Sequence, residues 1–342
     1  MYCFESKLTP FSAAFIAIDW VGMTLALIPI VLRLWLRFTE AKPQSWSRDL
    51  SDGLVLFSWL SGMVLISINT WKNSLRQRYI HSPSDELNYG VPRPMSSHLL
   101  YVSWISLFFI YISLWAAKFA LLAFYATLLT RVQTRVARSV LIGVSAFTGA
   151  TFALHMILLT AWCAPISSNW DIEGHLCSAV HDIKSVSIST AANIATDLAI
   201  LVLPLFQLIS LIRNRPSLTA MRTKTGKAEI GGIVLVLCMA ALSIIAALAR
   251  WVTLDLVQNV PKANITHTID VWALVEIVAS LLAVCLPGLR VLVRKSRDKS
   301  RRGLGSEGVA MGDYIVLRGG SKEGGSNVES VVVDSSSQPP QN

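Results

Sequence analysis

Seven long apolar runs, each near the length of a hydrocarbon core, constrain this 342-residue chain more than any other feature. A core about 30 Å thick takes about 20 helical residues at 1.5 Å each, and a helix lets a lone segment satisfy its backbone polar groups away from water. The runs fall at 11–32, 54–71, 99–129, 140–162, 186–212, 230–252 and 268–292. The second is the shortest and carries Asn69 near its end. Together they predict an all-α fold, a polytopic membrane protein built as a seven-transmembrane-helix bundle. Composition agrees, with 53% of residues hydrophobic and 15% charged, where soluble domains carry about 25% charge. The apolar residues are gathered into blocks instead of recurring every 2 or 3.6 positions, which excludes a water-soluble enzyme.

Basic residues sit beside the runs and not in a patch with interleaved aromatics, so the formal charge of +9 reads as a topology signal and nucleic acid is not an expected partner. Arg33, Arg37, Lys42 and Arg48 follow the first run; Arg131, Arg135 and Arg138 follow the third; Arg213, Arg215, Arg222, Lys224 and Lys227 follow the fifth. A further cluster runs from Arg290 to Arg302, whereas the loop after the fourth run holds only Lys184 and the loop after the sixth only Lys262. That bias puts the N-terminus outside and the C-terminus in the cytoplasm. The loop after the second run is an exception, with Lys72, Arg76, Arg78 and Arg93 beside Asp85 and Glu86. The expected organisation is a short extracellular N-terminus at 1–10, a membrane domain at 11–295 and a disordered cytoplasmic tail at 296–342, where Ser, Gly, Lys and Arg replace apolar residues. The first run lacks a basic flank on its N-terminal side and is long enough to span, so it is expected to be a helix and not a cleaved leader.

Two features agree with that orientation. Asn264-Ile265-Thr266 is a glycosylation sequon in a loop assigned outside, and Cys163 and Cys177 bracket another outside loop, where a disulfide persists. Cys238 and Cys285 lie within apolar runs as small hydrophobes.

Ionisable groups inside the runs are the informative residues, since each costs about 3 kcal/mol or more at mid-bilayer unless paired or hydrated. Five qualify: Asp19, Lys118, Asp197, Arg250 and Glu276. By depth, Lys118 on the third helix is expected to reach Asp197 on the fifth, and Arg250 to meet Glu276 nearer the outer mouth. Asn193 shares a face with Asp197 four residues on. Helix packing, a ligand or ion site, and snorkelling to the interface all account for such groups. Trp162, Trp170, Trp251 and Trp272 fall near the outer boundary, where an aromatic belt is the ordinary explanation and a ligand-lining Trp272 the alternative. His155 is the one histidine within a run, and no HExxH segment or phosphate-cradling glycine loop occurs. The chain is therefore expected to be non-enzymatic, with no cofactor and no metal.

Several ordered motifs carry a resemblance: Arg33 and Arg37 followed by WSRDLSDG at 46–53; Trp115-Ala-Ala-Lys118 leading to Phe124-Tyr125; Trp162-Cys163-Ala-Pro165 followed by Trp170 and Cys177; Ala192-Asn193-Ile-Ala-Thr-Asp197 followed by Leu203-Pro204; Arg250; and Trp272-Ala-Leu-Val-Glu276 followed by Leu286-Pro287-Gly-Leu-Arg290. In this order they resemble the fungal rhodopsin-domain integral membrane family over 11–295. The resemblance implies a receptor-like seven-helix protein in lipid, with a small-molecule ligand and a cytoplasmic G protein as implied partners, in a plasma membrane before an internal one. Relatives in secondary metabolism make a transporter or accessory membrane protein the alternative. Retinal attachment needs a lysine on the seventh helix, and 268–292 has none, so photochemistry is not expected. Thr130-Arg131-Val132 stands where animal-type receptors carry an acidic-Arg-Tyr triplet, and only Cys3 precedes the first run, so the cysteine-rich CFEM module of some relatives is not expected.

Epitope tags placed at Met1 and at Asn342 are predicted to label from opposite sides of intact cells. Labelling of both from one side would overturn the threading.

Overall fold

The computed structural model describes residues 10–39, 46–79, 82, 87–88, 90–129, 135–173, 177, 182–213, 224–258 and 270–286. Among these the chain forms seven α-helices: α1 (Pro10–Phe38), α2 (Trp46–Arg78), α3 (Arg93–Leu129), α4 (Arg135–Ala161), α5 (Ile183–Arg213), α6 (Lys224–Gln258) and α7 (270–286). Five, α1 to α5, are long and apolar enough to cross a membrane, and α6 contributes the shorter apolar stretch Leu237–Thr253. The sequon at Asn264 and the tail at 296–342 lie outside the described residues.

The second helix differs most from expectation. It runs Trp46–Arg78 in place of 54–71, because the charged residues that end the apolar run continue the helix and turn inward. Asp52, Lys72 and Arg76 are all buried. Two of the cations that seemed to contradict the topology, Lys72 and Arg76, are thus interior groups on a helix and not loop charges.

The first helix shows why periodicity is muted. Its buried positions are Asp19, Met23, Ala26, Ile30 and Arg33, spaced four and three apart, while Val21, Leu25, Ile28, Leu32 and Trp35 are exposed. The lipid-facing stripe is as apolar as the packed one, and the packed one holds Asp19 and Arg33, so the usual amphipathic contrast is reversed. Helix packing there uses small residues. A Cβ at Gly62 would lie 2.6 Å from Met23 Cε and one at Gly22 would lie 3.3 Å from Leu274 Cδ2, so α1 approaches both α2 and α7 closely. The third helix is the most enclosed, with 67% of its most apolar window buried against 17% for α4. Trp115, Leu114, Ala117 and Ala120 on α3 join Leu65 and Ile66 on α2 and Ile277 and Leu281 on α7 in one core.

At the end of the bundle holding the α1–α2 connection, Arg33 is the hub. Its Nε donates to Asp52 Oδ1 at 2.8 Å, Nη2 to Ser51 Oγ at 2.9 Å and Nη1 to the Val284 carbonyl at 2.8 Å. Ser51 Oγ in turn donates to the Ala120 carbonyl at 2.7 Å. One guanidinium therefore fastens α1 to α2 and α7, and through Ser51 to α3. Arg37 pairs with both Asp49 and Asp52, with its side chain more open to solvent.

At the opposite end a short hairpin, β1 (Leu87–Asn88) and β2 (Val91–Pro92), pairs antiparallel with Asn88 opposite Val91. Its turn needs Gly90, whose φ of 82° lies in the left-handed region that a Cβ disfavours. Beside it, Cys163 and Cys177 form a disulfide with Cα atoms 5.7 Å apart, closing a loop that contains a 3₁₀ turn at Ile166–Asn169. Trp170 pins that loop onto α3: its carbonyl accepts from Ser97 Oγ at 2.7 Å, and its ring lies 4.9 Å from Tyr101 and 5.5 Å from Trp104. Asp182 caps α5 by accepting from the Lys184 N–H at 2.8 Å while also accepting from Trp162 Nε1 at 3.1 Å. Trp162 and Trp170 are therefore bound within the protein, more than a belt requires.

Arg33→Ala is predicted to lower stability by about 3 kcal/mol or more, since it breaks a buried ion pair and unties the Val284 carbonyl on α7, and Arg37→Ala by less than about 1 kcal/mol, as expected for a partly exposed pair. The side chains are 7% and 27% exposed. Thermal unfolding of the two variants in detergent measures the difference, and equal losses would refute the hub.

Candidate functional site

The middle of the bundle holds a continuous polar network built from α3, α5, α6 and α7. Lys118 sits on α3 one turn after Trp115, and its ammonium lies 4.8 Å from the Trp115 ring centroid. Its Nζ is 2.8 Å from Asp197 Oδ1, 2.7 Å from Asn193 Oδ1, 2.7 Å from Thr196 Oγ1 and 3.0 Å from the Asn193 carbonyl. An ammonium has three N–H donors, so this surround saturates it. Asn193, Thr196 and Asp197 reach one point because positions 193, 196 and 197 share a helix face.

Asn193 is the joint. Its Oδ1 faces a group that only donates, and its Nδ2 donates to Glu276 Oε1, a carboxylate that only accepts. The chemistry of the two neighbours fixes the amide orientation. Glu276, fully buried on α7, also lies 3.6 Å from Arg250 Nη2 on α6. Asp197 Oδ2 accepts from Ser243 Oγ at 3.1 Å, a second link to α6. Trp251 Nε1 donates to Ser187 Oγ at 2.8 Å, a second tie between α5 and α6. The two pairs expected from the sequence, Lys118 with Asp197 and Arg250 with Glu276, are thus halves of one network carrying two cations and two anions. Among the described residues, Arg250 Nε and Glu276 Oε2 have no hydrogen-bond partner.

Beside the network lies an aromatic cage on α3 and α4. The His155 ring is 4.2 Å from Trp115 and 4.7 Å from Tyr111. Its Nδ1 is 2.7 Å from the Thr151 carbonyl and its Nε2 3.1 Å from the Ser189 carbonyl. A neutral imidazole has a single N–H and serves one of these acceptors at a time. Trp115 Nε1 donates to the Thr148 carbonyl at 3.0 Å, and Tyr111 Oη lies 2.8 Å from Ser189 Oγ. The polar edges of Trp115 and Tyr111 and one nitrogen of His155 are thus turned to a neighbouring helix, and the other His155 nitrogen to its own. Among the described residues no three His, Cys, Asp or Glu side chains gather as metal ligands.

Asp19, the fifth intramembrane charge, belongs elsewhere. It is 3% exposed and interacts with Asn69, Lys72 and Asp270 in a second group at the hairpin end, between α1, α2 and α7. There Lys72 Nζ donates to Asp270 Oδ2 at 3.0 Å. Sequence reasoning missed this group because Lys72 and Arg76 were counted as loop charges. A signal was present: Asn69, Lys72, Asn73 and Arg76 stand at i, i+3, i+4 and i+7, one continuous face of a helix.

Lys118→Ala and Asp197→Ala are each predicted to lower the thermal midpoint in detergent, and the double variant to fall short of their sum by a coupling of about 0.5–3 kcal/mol. Additive losses would show that the two charges are held independently.

The sequence profile of the fungal rhodopsin domain matches residues 32–295. Neither the curated proteins nor the solved structures contain a match to the chain. The matched span takes in the Arg33 hub, the central network and all the helices from α2 to α7. The chain belongs to the fungal rhodopsin-domain family and is a multi-pass helical membrane protein.

Proposed function

We propose that this protein is a receptor-like, non-enzymatic sensor of a small molecule, threaded seven times with its N-terminus outside and working without retinal. The observation that carries the reading is the charge-balanced network, which is saturated at Lys118 and open at its α6–α7 edge. There, among the described residues, Arg250 Nε and Glu276 Oε2 are buried without a hydrogen bond, and the charges stand 3.6 Å apart. That spacing is beyond a hydrogen bond, so the contact has a shorter, stronger arrangement within a small shift of α6. A ligand that binds the two arrangements unequally shifts the balance between them.

Three observations support the other parts. The two buried lysines among the described residues are both committed, Lys118 to oxygens of α5 and Lys72 to Asp270, and 268–292 has no lysine to carry a Schiff base. With Lys72 and Arg76 withdrawn into α2, the loop after it keeps Arg78 and Arg93 against Asp85 and Glu86, so it no longer opposes an outward assignment. Arg33 leaves the inner count by the same logic, but the cations after the third and fifth helices remain. A cytoplasmic partner, a G protein on the family's pattern, would read the Arg33 end, and the plasma membrane is the setting that suits an outward-facing sensor.

Buried charge in a bundle also suits a transporter, and one pair of measurements separates the two. In the purified full-length protein a small-molecule panel is screened by thermal shift, and each hit is then assayed for uptake into proteoliposomes. The expected result is a hit whose stabilisation is lost in Arg250→Gln and which does not cross the membrane. Directional uptake of a hit would replace sensing with transport.

A further inference from the structure

The geometry points to a binding site for a small zwitterion, a molecule bearing both an ammonium and a carboxylate, between α1, α2 and α7 at the hairpin end of the bundle. It deepens the sensor reading by naming a ligand class, and rests on that reading only for what binding accomplishes.

Among the described residues, five buried polar atoms there have no hydrogen-bond partner: Asp19 Oδ1, Asn69 Oδ1, Asn73 Oδ1, Arg76 Nε and Arg76 Nη1. Their residues are 3%, 1%, 4% and 8% exposed. Folded proteins leave a few such atoms per hundred residues, so five on four neighbouring side chains mark a place built to meet something else. Three of them accept and two donate. They are also separated along α2, where 69, 73 and 76 lie on one face over about 10 Å, with the acceptors toward mid-membrane and the guanidinium a turn nearer the end.

Charge narrows the ligand. Lys72 and Asp270 neutralise one another at 3.0 Å. What remains is an anion, Asp19, beside the acceptors and a cation, Arg76, beyond them. A simple anion would satisfy Arg76 and leave three oxygens bare. A simple cation would do the reverse and add net positive charge beside Lys72 and Arg76. A zwitterion answers both ends and brings in no net charge, its ammonium among Asp19, Asn69 and Asn73 and its carboxylate at Arg76. Between these ends lies the Lys72–Asp270 pair, which joins α2 to α7. Asp270 precedes Glu276 by six residues on one helix, about 9 Å along its axis. Occupancy at this end is thereby linked mechanically to the central network.

The test uses the full-length protein in phosphatidylcholine nanodiscs and the series glycine, β-alanine, γ-aminobutyrate and 5-aminovalerate, which sets the ammonium and carboxylate progressively farther apart. One length is expected to raise the thermal midpoint by about 4 °C or more near saturation. Methylammonium chloride and sodium acetate, singly or mixed at equal ionic strength, are expected to give no rise. Asp19→Asn and Arg76→Gln should each weaken binding at least tenfold by equilibrium dialysis of the radiolabelled best member, while Thr160→Ala, on the exposed face of α4, should retain it. Asn73→Ala, which removes an acceptor without touching a charge, supplies the same readout should either charge variant fail to fold. No stabilisation by any length, or equal affinity in these variants, would overturn the site. Stabilisation by other compounds but by none of the series would remove this site and leave sensing intact. Directional uptake of the bound zwitterion would uphold the site and replace sensing with transport.

Discussion

A charge inside hydrocarbon must find its counter-charge within the protein, and the architecture of this chain follows from that requirement. Each unpaired ion at mid-bilayer costs about 3 kcal/mol or more, a sizeable part of what holds a domain together. Apolar contact cannot supply the missing specificity, because lipid tails are as apolar as leucine and reward no particular helix neighbour. The buried ions do, since each has few acceptable positions. They lie in three tiers: Arg33 with Asp52 at one end, Lys118, Asp197, Arg250 and Glu276 in the middle, and Asp19, Lys72, Arg76 and Asp270 at the hairpin end.

The tiers share one helix. At its hairpin end α7 gives Asp270 to Lys72; in the middle it gives Glu276 to Asn193 and Arg250; near its other end the Val284 carbonyl accepts from Arg33. The first two are side chains, while the third is a backbone group. Rotation or sliding of α7 therefore changes all three contacts together. The fourth helix is the contrast. It joins the bundle through neutral groups, Thr148, Thr151 and His155, and most of its surface faces outward. A helix held by two backbone carbonyls, one hydroxyl and one imidazole is replaceable in detail; one that carries a carboxylate in two tiers is not.

Much of the fold was legible in the apolar runs, and the boundaries that were misplaced have a common cause. Hydropathy ends a helix where charge begins, yet α2 continues through Asp52 at one end and Lys72 and Arg76 at the other because those charges point into the bundle. In the central site Lys118, Asp197, Arg250 and Glu276 stood out as ions in apolar surroundings, and depth alone sufficed to pair them. Asn193 as the joint did not follow from depth, since whether a neutral amide bridges two ion pairs depends on helix rotation. Asn69, Asn73 and Asp270 were hidden for another reason: at the boundary of a run, a polar residue is as ordinary in a loop as in a buried face, and only the spacing 69, 72, 73, 76 separates the two.

The difference between the tiers is in how completely they are satisfied. Arg33 has a partner for each of its three nitrogens, and Lys118 has more acceptors than hydrogens. Such groups have nothing to gain from movement, and they fix α1, α2, α3 and α5 relative to their neighbours. Arg250, Glu276, Asp19 and Arg76 retain bare polar atoms in the interior. Unmade hydrogen bonds in a low-dielectric setting are a driving force toward whatever arrangement or ligand completes them. Two of the four lie at the α6–α7 edge and two in the group between α1, α2 and α7. Motion that improves one set must therefore act through the helix the two sets have in common, against anchors at Arg33 and Lys118 that hold the remainder still.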